Sequence, residues 1–235
     1  MAKKNKEISS SNLIKVKAIT ERQKSVFETW KQGKNQFLFG CAGTGKTFVS
    51  LYLAMQDVLD LKTKYDKVIL VRSLIPTREI GFLPGDEEDK AALYQVPYQN
   101  MVKFMFEQPN EQAFNMLYDR LKNQGSLYFL STSFLRGLTF DNSIIIVDEC
   151  QNLNFHELDT ITTREGQDSK IIFCGDFSQT DLLKQNERNG LHDFLRILEE
   201  MQEFNCVEFN IGDIVRSGFV RNYLIQKTKL GMGME

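Results

Sequence analysis

The eight residues GCAGTGKT, at 40–47, fit the pattern G-x-x-x-x-G-K-[ST] at every required position. No other stretch constrains the fold as much. A short apolar run, QFLFG at 36–40, precedes it. A helical pattern follows from Lys46 to about Leu59, with Val49, Leu53 and Met55 among its apolar positions. Strand, glycine-rich turn and helix in that order make a phosphate cradle. Gly40, Gly43 and Gly45 let backbone N–H groups turn inward, and Cys41, Ala42 and Thr44 complete the loop. Lys46 reaches the outer phosphates of a bound nucleotide, and Thr47 offers a hydroxyl to Mg2+. The helix start adds the positive end of its dipole.

Other apolar runs alternate with helical stretches. A helix is expected over 20–31, capped by Thr20, with Val26, Phe27 and Trp30 on one face. Strands are expected at 67–72, 126–131, 143–147, 170–174 and 206–209, and helices at 101–123, 191–201 and about 213–229. Residues 73–100 hold three of the four prolines and read as a long loop with a small insertion. Continuous apolar strands between helices predict an α/β fold with a mostly parallel sheet covered on both faces. A flexible tail is expected at 1–17, one domain at 18–230 and a short flexible tail at 231–235.

Composition narrows the functional classes. Hydrophobic residues make up 42% and charged residues 26%, as in an ordinary globular protein. A formal net charge of −2 excludes a whole-surface basic field for nucleic acid, while a local basic patch stays open. No run approaches the ~18 apolar residues of a membrane span. The start, MAKKNKEISSSN, lacks the apolar stretch of a secretory signal. Cys41, Cys150, Cys174 and Cys206 have no metal-ligand spacing and read as small buried residues of a reducing, cytoplasmic compartment. His156 and His192 lie far apart and read as surface or helix-packing residues.

Two further motifs follow the loop. SIIIVDECQN, at 143–152, is a strand that ends in two carboxylates. Placed beside the strand of the phosphate loop, it would deliver Asp148 to Mg2+, directly or through water, and Glu149 to the attacking water. KIIFCGDFSQTD, at 170–181, is another strand ending in Gly-Asp. Gln179 behind it can bond both a γ-phosphate and the water, and so report the γ-phosphate. On the helix before the first strand, the Gln23 amide can pair with an adenine edge. A second acid beside Asp148 fits hydrolysis by water better than transfer to a small substrate, which argues against a kinase.

Together these segments resemble the PhoH-like family of P-loop ATPases. The resemblance runs from Gln23 to beyond Arg221. It is carried by GCAGTGKT at 40–47, VRSLIPTREIGFLPGDEEDK at 71–90, FLRGLTF at 134–140, IIIVDECQN at 144–152, FCGDFSQTDL at 173–182 and IGDIVRSGFV at 211–220. The family is similar to the ATPase core of superfamily 1 helicases. The resemblance therefore implies a RecA-like fold, ATP hydrolysis, Mg2+ and a link to RNA or DNA. Two departures stand out: Ser73 follows Val71 and Arg72 where the family has proline, and Leu138 follows Arg136 and Gly137 where it has arginine. Some relatives carry a fused PIN-type nuclease domain. No residues remain for one here, so nuclease activity is not expected. The short form resembles those found in bacteriophages.

The resemblance has a further implication. A superfamily 1 helicase closes its ATP site with an arginine from a second core, and 235 residues hold one core. A homo-oligomer with head-to-tail interfaces, a hexameric ring above all, would supply that arginine in trans. Arg216 and Arg221 are the first candidates, ahead of Arg136 and Arg164. The loop at 72–88 would meet a single strand through Arg72, Arg78 and Phe82, or else pack on a neighbouring subunit. Two functions remain open: an ATPase acting on RNA or DNA, and an ATP-dependent switch acting on a protein partner.

Overall fold

The structure, a computed structural model, describes residues 6–73, 87–132, 135, 137–176 and 185–230, without side chains at 87–92, 185–189 and 228. Six strands form one sheet: β1 (Asn35–Gly40), β2 (Lys67–Arg72), β3 (Leu127–Ser131), β4 (Ser143–Asp148), β5 (Lys170–Gly175) and β6 (Phe204–Phe209). Their order is β3-β2-β4-β5-β1-β6, and every adjacent pair is parallel. This is the expected α/β, RecA-like arrangement with helices on both faces.

Side chains alternate between the two faces, as the period of a strand requires. Leu38, Leu70, Ile144, Ile146 and Ile172 share a core with α1 (Glu21–Lys31), α2 (Lys46–Leu59), α3 (Glu87–Phe106) and α4 (Glu111–Asn123). Phe37, Ile69, Ile145, Val147 and Phe173 face the other way, onto α5 (Phe155–Thr162) and α6 (Gln185–Glu199). β4 and β5 are buried along their whole length, which is why their sequences show no polar alternation.

Three expectations are corrected. β4 does not lie beside β1, because β5 is inserted between them. The proline-bearing stretch at 73–100 is helical from Glu87 onward, and Pro97 lies inside α3. A proline within a helix removes one N–H bond, so it reads as a breaker, but packing of Tyr98, Val102, Met105 and Phe106 overrides it. Residues 6–17 also differ from the expected tail. Ile8 and Leu13 are buried, Ile14 N–H donates to the Met105 carbonyl at 2.9 Å, and Val16 N–H donates to Tyr52 Oη at 3.2 Å. Residues 1–5 and 231–235 lie outside the described residues. Among the described residues, no helix is long and apolar enough to cross a membrane.

Candidate active site

All parallel strands deliver their C-terminal ends to one edge of the sheet, and the site forms there. At the end of β1, Gly40 has φ +108, and an added Cβ would collide with the Phe209 carbonyl oxygen. Cys41 N–H donates to that same oxygen at 2.9 Å, so the end of β6 braces the loop. Gly43 has φ +74, and a Cβ there would lie 2.9 Å from Cγ of Arg216. Neither position admits a side chain without displacing a neighbour. Ala42 lies half-buried between them, and the Thr44 hydroxyl donates to the Cys41 carbonyl at 3.0 Å.

Lys46 folds back into its own loop, its Nζ donating to the Gly40 carbonyl at 2.7 Å and the Cys41 carbonyl at 2.8 Å. Burial pushes the Lys46 pKa down, while Asp176 and Asp148 oppose the shift. Gly45 caps α2 without a side-chain acceptor, which leaves the first-turn N–H groups suited to phosphate oxygens. The loop thus fits the phosphates of a nucleotide.

Thr47 Oγ1 donates to Asp148 Oδ1 at 2.7 Å. Asp148 is buried, and its second oxygen accepts from Tyr98 Oη at 2.8 Å. A hydroxyl and one carboxylate are hard oxygen donors, the small protein share that Mg2+ takes beside substrate phosphates. These residues fit a Mg2+ ion that would neutralise phosphate charge there.

Glu149 adopts the left-handed conformation, φ 53 and ψ 41, which is strained for a non-glycine residue. Burial raises its pKa, with Asp148 adding to the rise and Gln151, Arg72 and Lys46 opposing it. Gln151 is 1% exposed and holds Glu149 in place: its Nε2 donates to Oε2 of Glu149 at 2.5 Å. Its Oε1 accepts from the Asp176 N–H at 3.0 Å. One amide therefore ties the carboxylate after β4 to the end of β5.

Four positions fall outside the described residues: Gln179, Arg78, Phe82 and Arg136. Three others have partners within the chain. Gln23 is 3% exposed, accepts from Ile19 N–H at 2.8 Å and donates to the Thr44 carbonyl at 2.9 Å. Its amide is a strut under the loop rather than an open edge for adenine. Arg72 lies near Tyr98, Glu149 and Asp148, its guanidinium 5.4 Å from the centre of the Tyr94 ring. It stands beside the carboxylate cluster, and residues 74–86 that follow it lie outside the described residues. Arg216 lays its stem on Gly43 of its own chain, anchored by Val215 N–H donating to the Gly43 carbonyl at 3.0 Å. That placement is within its own chain, with Arg216 exposed. Arg221 is exposed on α7 (Gly218–Lys229). Arg164 is tied to the Thr160 and Leu138 carbonyls at 3.2 and 3.3 Å.

Sequence reasoning missed Tyr98 and Gln151. Gln151 stood two residues after Glu149, within a motif already singled out. Tyr98 carried no local signal, because it reaches Asp148 across 50 residues from a helix that contains a proline.

Fold and site together define a P-loop nucleotide-binding core. The chain belongs to the PhoH-like family: the family model described as PhoH-like protein matches residues 15–226. A PhoH-like protein of Synechocystis is 32% identical over 207 residues, covering 88% of this chain and 60% of the relative. Protein PhoH of Escherichia coli strain K12 is 32% identical over 190 residues, covering 80% of this chain and 51% of the relative. The chain thus spans between half and three fifths of the length of those relatives. Among solved structures, the large terminase of a thermophilic bacteriophage, in complex with ADP, superposes with a TM-score of 0.51 at 13% identity. That match covers 88% of this chain and 49% of the terminase, and it shows a shared fold.

Proposed function

We propose that this chain hydrolyses ATP to ADP and phosphate with Mg2+, and that single-stranded nucleic acid stimulates it. The observation that carries the reading is the Thr47–Asp148 contact, with Glu149 held next to it by Gln151. The loop N–H groups and Lys46 bind the phosphates. Mg2+ held at Thr47 and Asp148 supplies charge neutralisation on the transferring phosphoryl group. Glu149, with its raised pKa, takes the proton from water as that water's oxygen bonds to the γ-phosphorus and the bond to the β-phosphate oxygen breaks. Gln179 senses the γ-phosphate in this reading.

Arg216 acts in cis at the rim of the cradle. Arg221 is then the arginine offered in trans within a homo-oligomer, a hexameric ring being the favoured form. Family membership and the helicase-like resemblance support nucleic acid as the stimulus, with RNA and DNA both to be tried.

The experiment is phosphate release at several protein concentrations, with and without single-stranded RNA or DNA, alongside mass measurement in solution. The rate per chain should rise with protein concentration and with one of the oligonucleotides. A rate indifferent to both oligonucleotides at low and moderate salt removes the nucleic-acid claim. A concentration-independent rate from a monomer removes the ring.

A further inference from the structure

Helix α3 lies outside the phosphate loop and both carboxylate motifs, yet one of its residues reaches the centre of the site. Tyr98 is 1% exposed, and its Oη donates to Oδ2 of Asp148 at 2.8 Å. The other oxygen, Oδ1, faces Thr47 Oγ1 at 2.7 Å. The two carboxylate oxygens therefore have different partners from different elements. The phenol is itself fixed. Its ring packs on Phe129 of β3 with centroids 5.8 Å apart, and Arg72 at the end of β2 lies near it.

A buried tyrosine hydroxyl needs a partner, and any acceptor would satisfy it. This one has taken an oxygen of the carboxylate that serves the metal. Divalent ions differ in what they ask of a carboxylate. Ca2+ accepts both oxygens of one carboxylate at about 2.3–2.6 Å in a flexible shell. Mg2+ demands a smaller, near-octahedral shell at about 2.0–2.1 Å, keeps several waters and uses few protein oxygens. A donor fixed on Oδ2 competes with two-oxygen ligation, while Oδ1, which accepts the Thr47 hydroxyl, keeps a second lone pair for the ion.

We propose that Tyr98 is a positioning residue that holds Asp148 to one-oxygen ligation and thereby sets this site's preference for Mg2+ over Ca2+. The inference rests on the reading of Thr47 and Asp148 as the metal pair. Tyr98 does not touch substrate; it acts through Asp148. Outer partners of metal ligands commonly change metal affinity by about 10–100-fold. Removing this one should act unequally on the two ions, because only the larger ion gains a second oxygen.

The test measures metal-dependent ADP binding by calorimetry on the whole chain, with Mg2+ and with Ca2+, so that no hydrolysis is needed. Tyr98→Phe keeps the ring against Phe129 and removes only the hydroxyl. Tyr98→Leu also lacks the hydroxyl and serves if the first variant does not fold. Wild type should bind ADP more tightly with Mg2+ than with Ca2+, and either variant should narrow that ratio about tenfold. An unchanged ratio, with both affinities intact or lowered in parallel, overturns the inference and leaves Tyr98 as a packing residue. The Asp148→Asn chain separates the two levels. If Asp148→Asn retains the metal dependence of wild type, the metal-pair reading fails, and this inference falls with it.

Discussion

Thr47 and Asp148 are 101 residues apart in sequence and 2.7 Å apart in the fold. The strands that lead to them are not neighbours, since β5 separates β1 from β4. The gap is closed by α2, which packs against both β5 and β4 and carries Thr47 in its first turn. Asp148→Asn keeps the size of the side chain and removes its charge. Hydrolysis measured by phosphate release should fall at least about a hundredfold, a barrier increase of about 2.7 kcal/mol. Thr47→Ser should retain most of the activity and Thr47→Ala should not.

Glu149 and Gln151 separate chemistry from positioning. Glu149→Gln should lower kcat by about 10²–10⁴-fold with little change in KM. Gln151→Ala should cost less, and its signature is in the pH profile. The Gln151 hydrogen bond lowers the Glu149 pKa against burial and Asp148. Losing it raises that pKa further, so more of the base is protonated at a given pH. The acid limb of kcat against pH should therefore move to higher pH in Gln151→Ala. A limb that stays in place would leave Gln151 as a structural brace alone.

Arg216 and Arg221 are distinguished by mixing subunits. If Arg216 serves its own loop, Lys46→Ala chains mixed with Arg216→Ala chains should yield no activity beyond the sum of the two. A Lys46→Ala chain already lacks the lysine of the site its own Arg216 serves. If Arg221 serves the neighbour, Lys46→Ala mixed with Arg221→Ala should recover measurable ATPase. Recovery in the first mixture would move Arg216 back to a trans role.

Gln23→Ala removes the donor to the Thr44 carbonyl and the acceptor of Ile19 N–H. Loss of a buried, doubly bonded amide should lower stability by about 1–3 kcal/mol in denaturant unfolding. ADP affinity should fall, because the strut sits directly under the loop. GDP and ADP should be affected alike, whereas a residue reading the adenine edge would change their ratio.

Lys170 lies at the start of β5, 2% exposed, its Nζ 4.0 Å from the centre of the Trp30 ring and bonded to the Trp30 carbonyl at 3.1 Å. Burial lowers its pKa to about 8 from 10.5, with Asp57 opposing the shift. Between those values the unfolded chain holds a proton that the folded chain has released, so stability should rise with pH across this window. The rise attributable to Lys170 is on the order of 2 kcal/mol. Chemical denaturation of wild type and Lys170→Met from pH 7 to pH 10 isolates it: the difference in stability should move toward wild type as pH rises. A constant difference would contradict the lowered pKa.

Much of the fold was legible because local signals agreed with packing. The apolar runs of β4 and β5 are buried on both faces, and KTFVSLYLAMQDVL begins and ends where its pattern does. Strand order was not legible. Nothing in IIIVDE or KIIFCG says which of the two lies next to β1, because both are buried and apolar and their register is set by crossovers. α3 was obscured by Pro97, whose cost is met by contacts distant in sequence. In the site, the residue types of the loop and of Asp148 and Glu149 announce their chemistry. Tyr98, Gln23 and Arg72 do not, since a phenol, an amide and a guanidinium take their meaning from what tertiary contact puts beside them. Arg216 shows the same limit: the spacing of IVRSGFVR is silent on whether the side chain turns to its own loop or outward.

The most direct measurement compares ADP binding and phosphate release from Mg·ATP for wild type and Glu149→Gln at one concentration. The wild type should release phosphate only with Mg2+. The variant should bind ADP as tightly as wild type and release phosphate at least about a hundredfold more slowly. Equal rates in the two chains, or a wild type that binds nucleotide and releases no phosphate under any of these conditions, would contradict hydrolysis at this site.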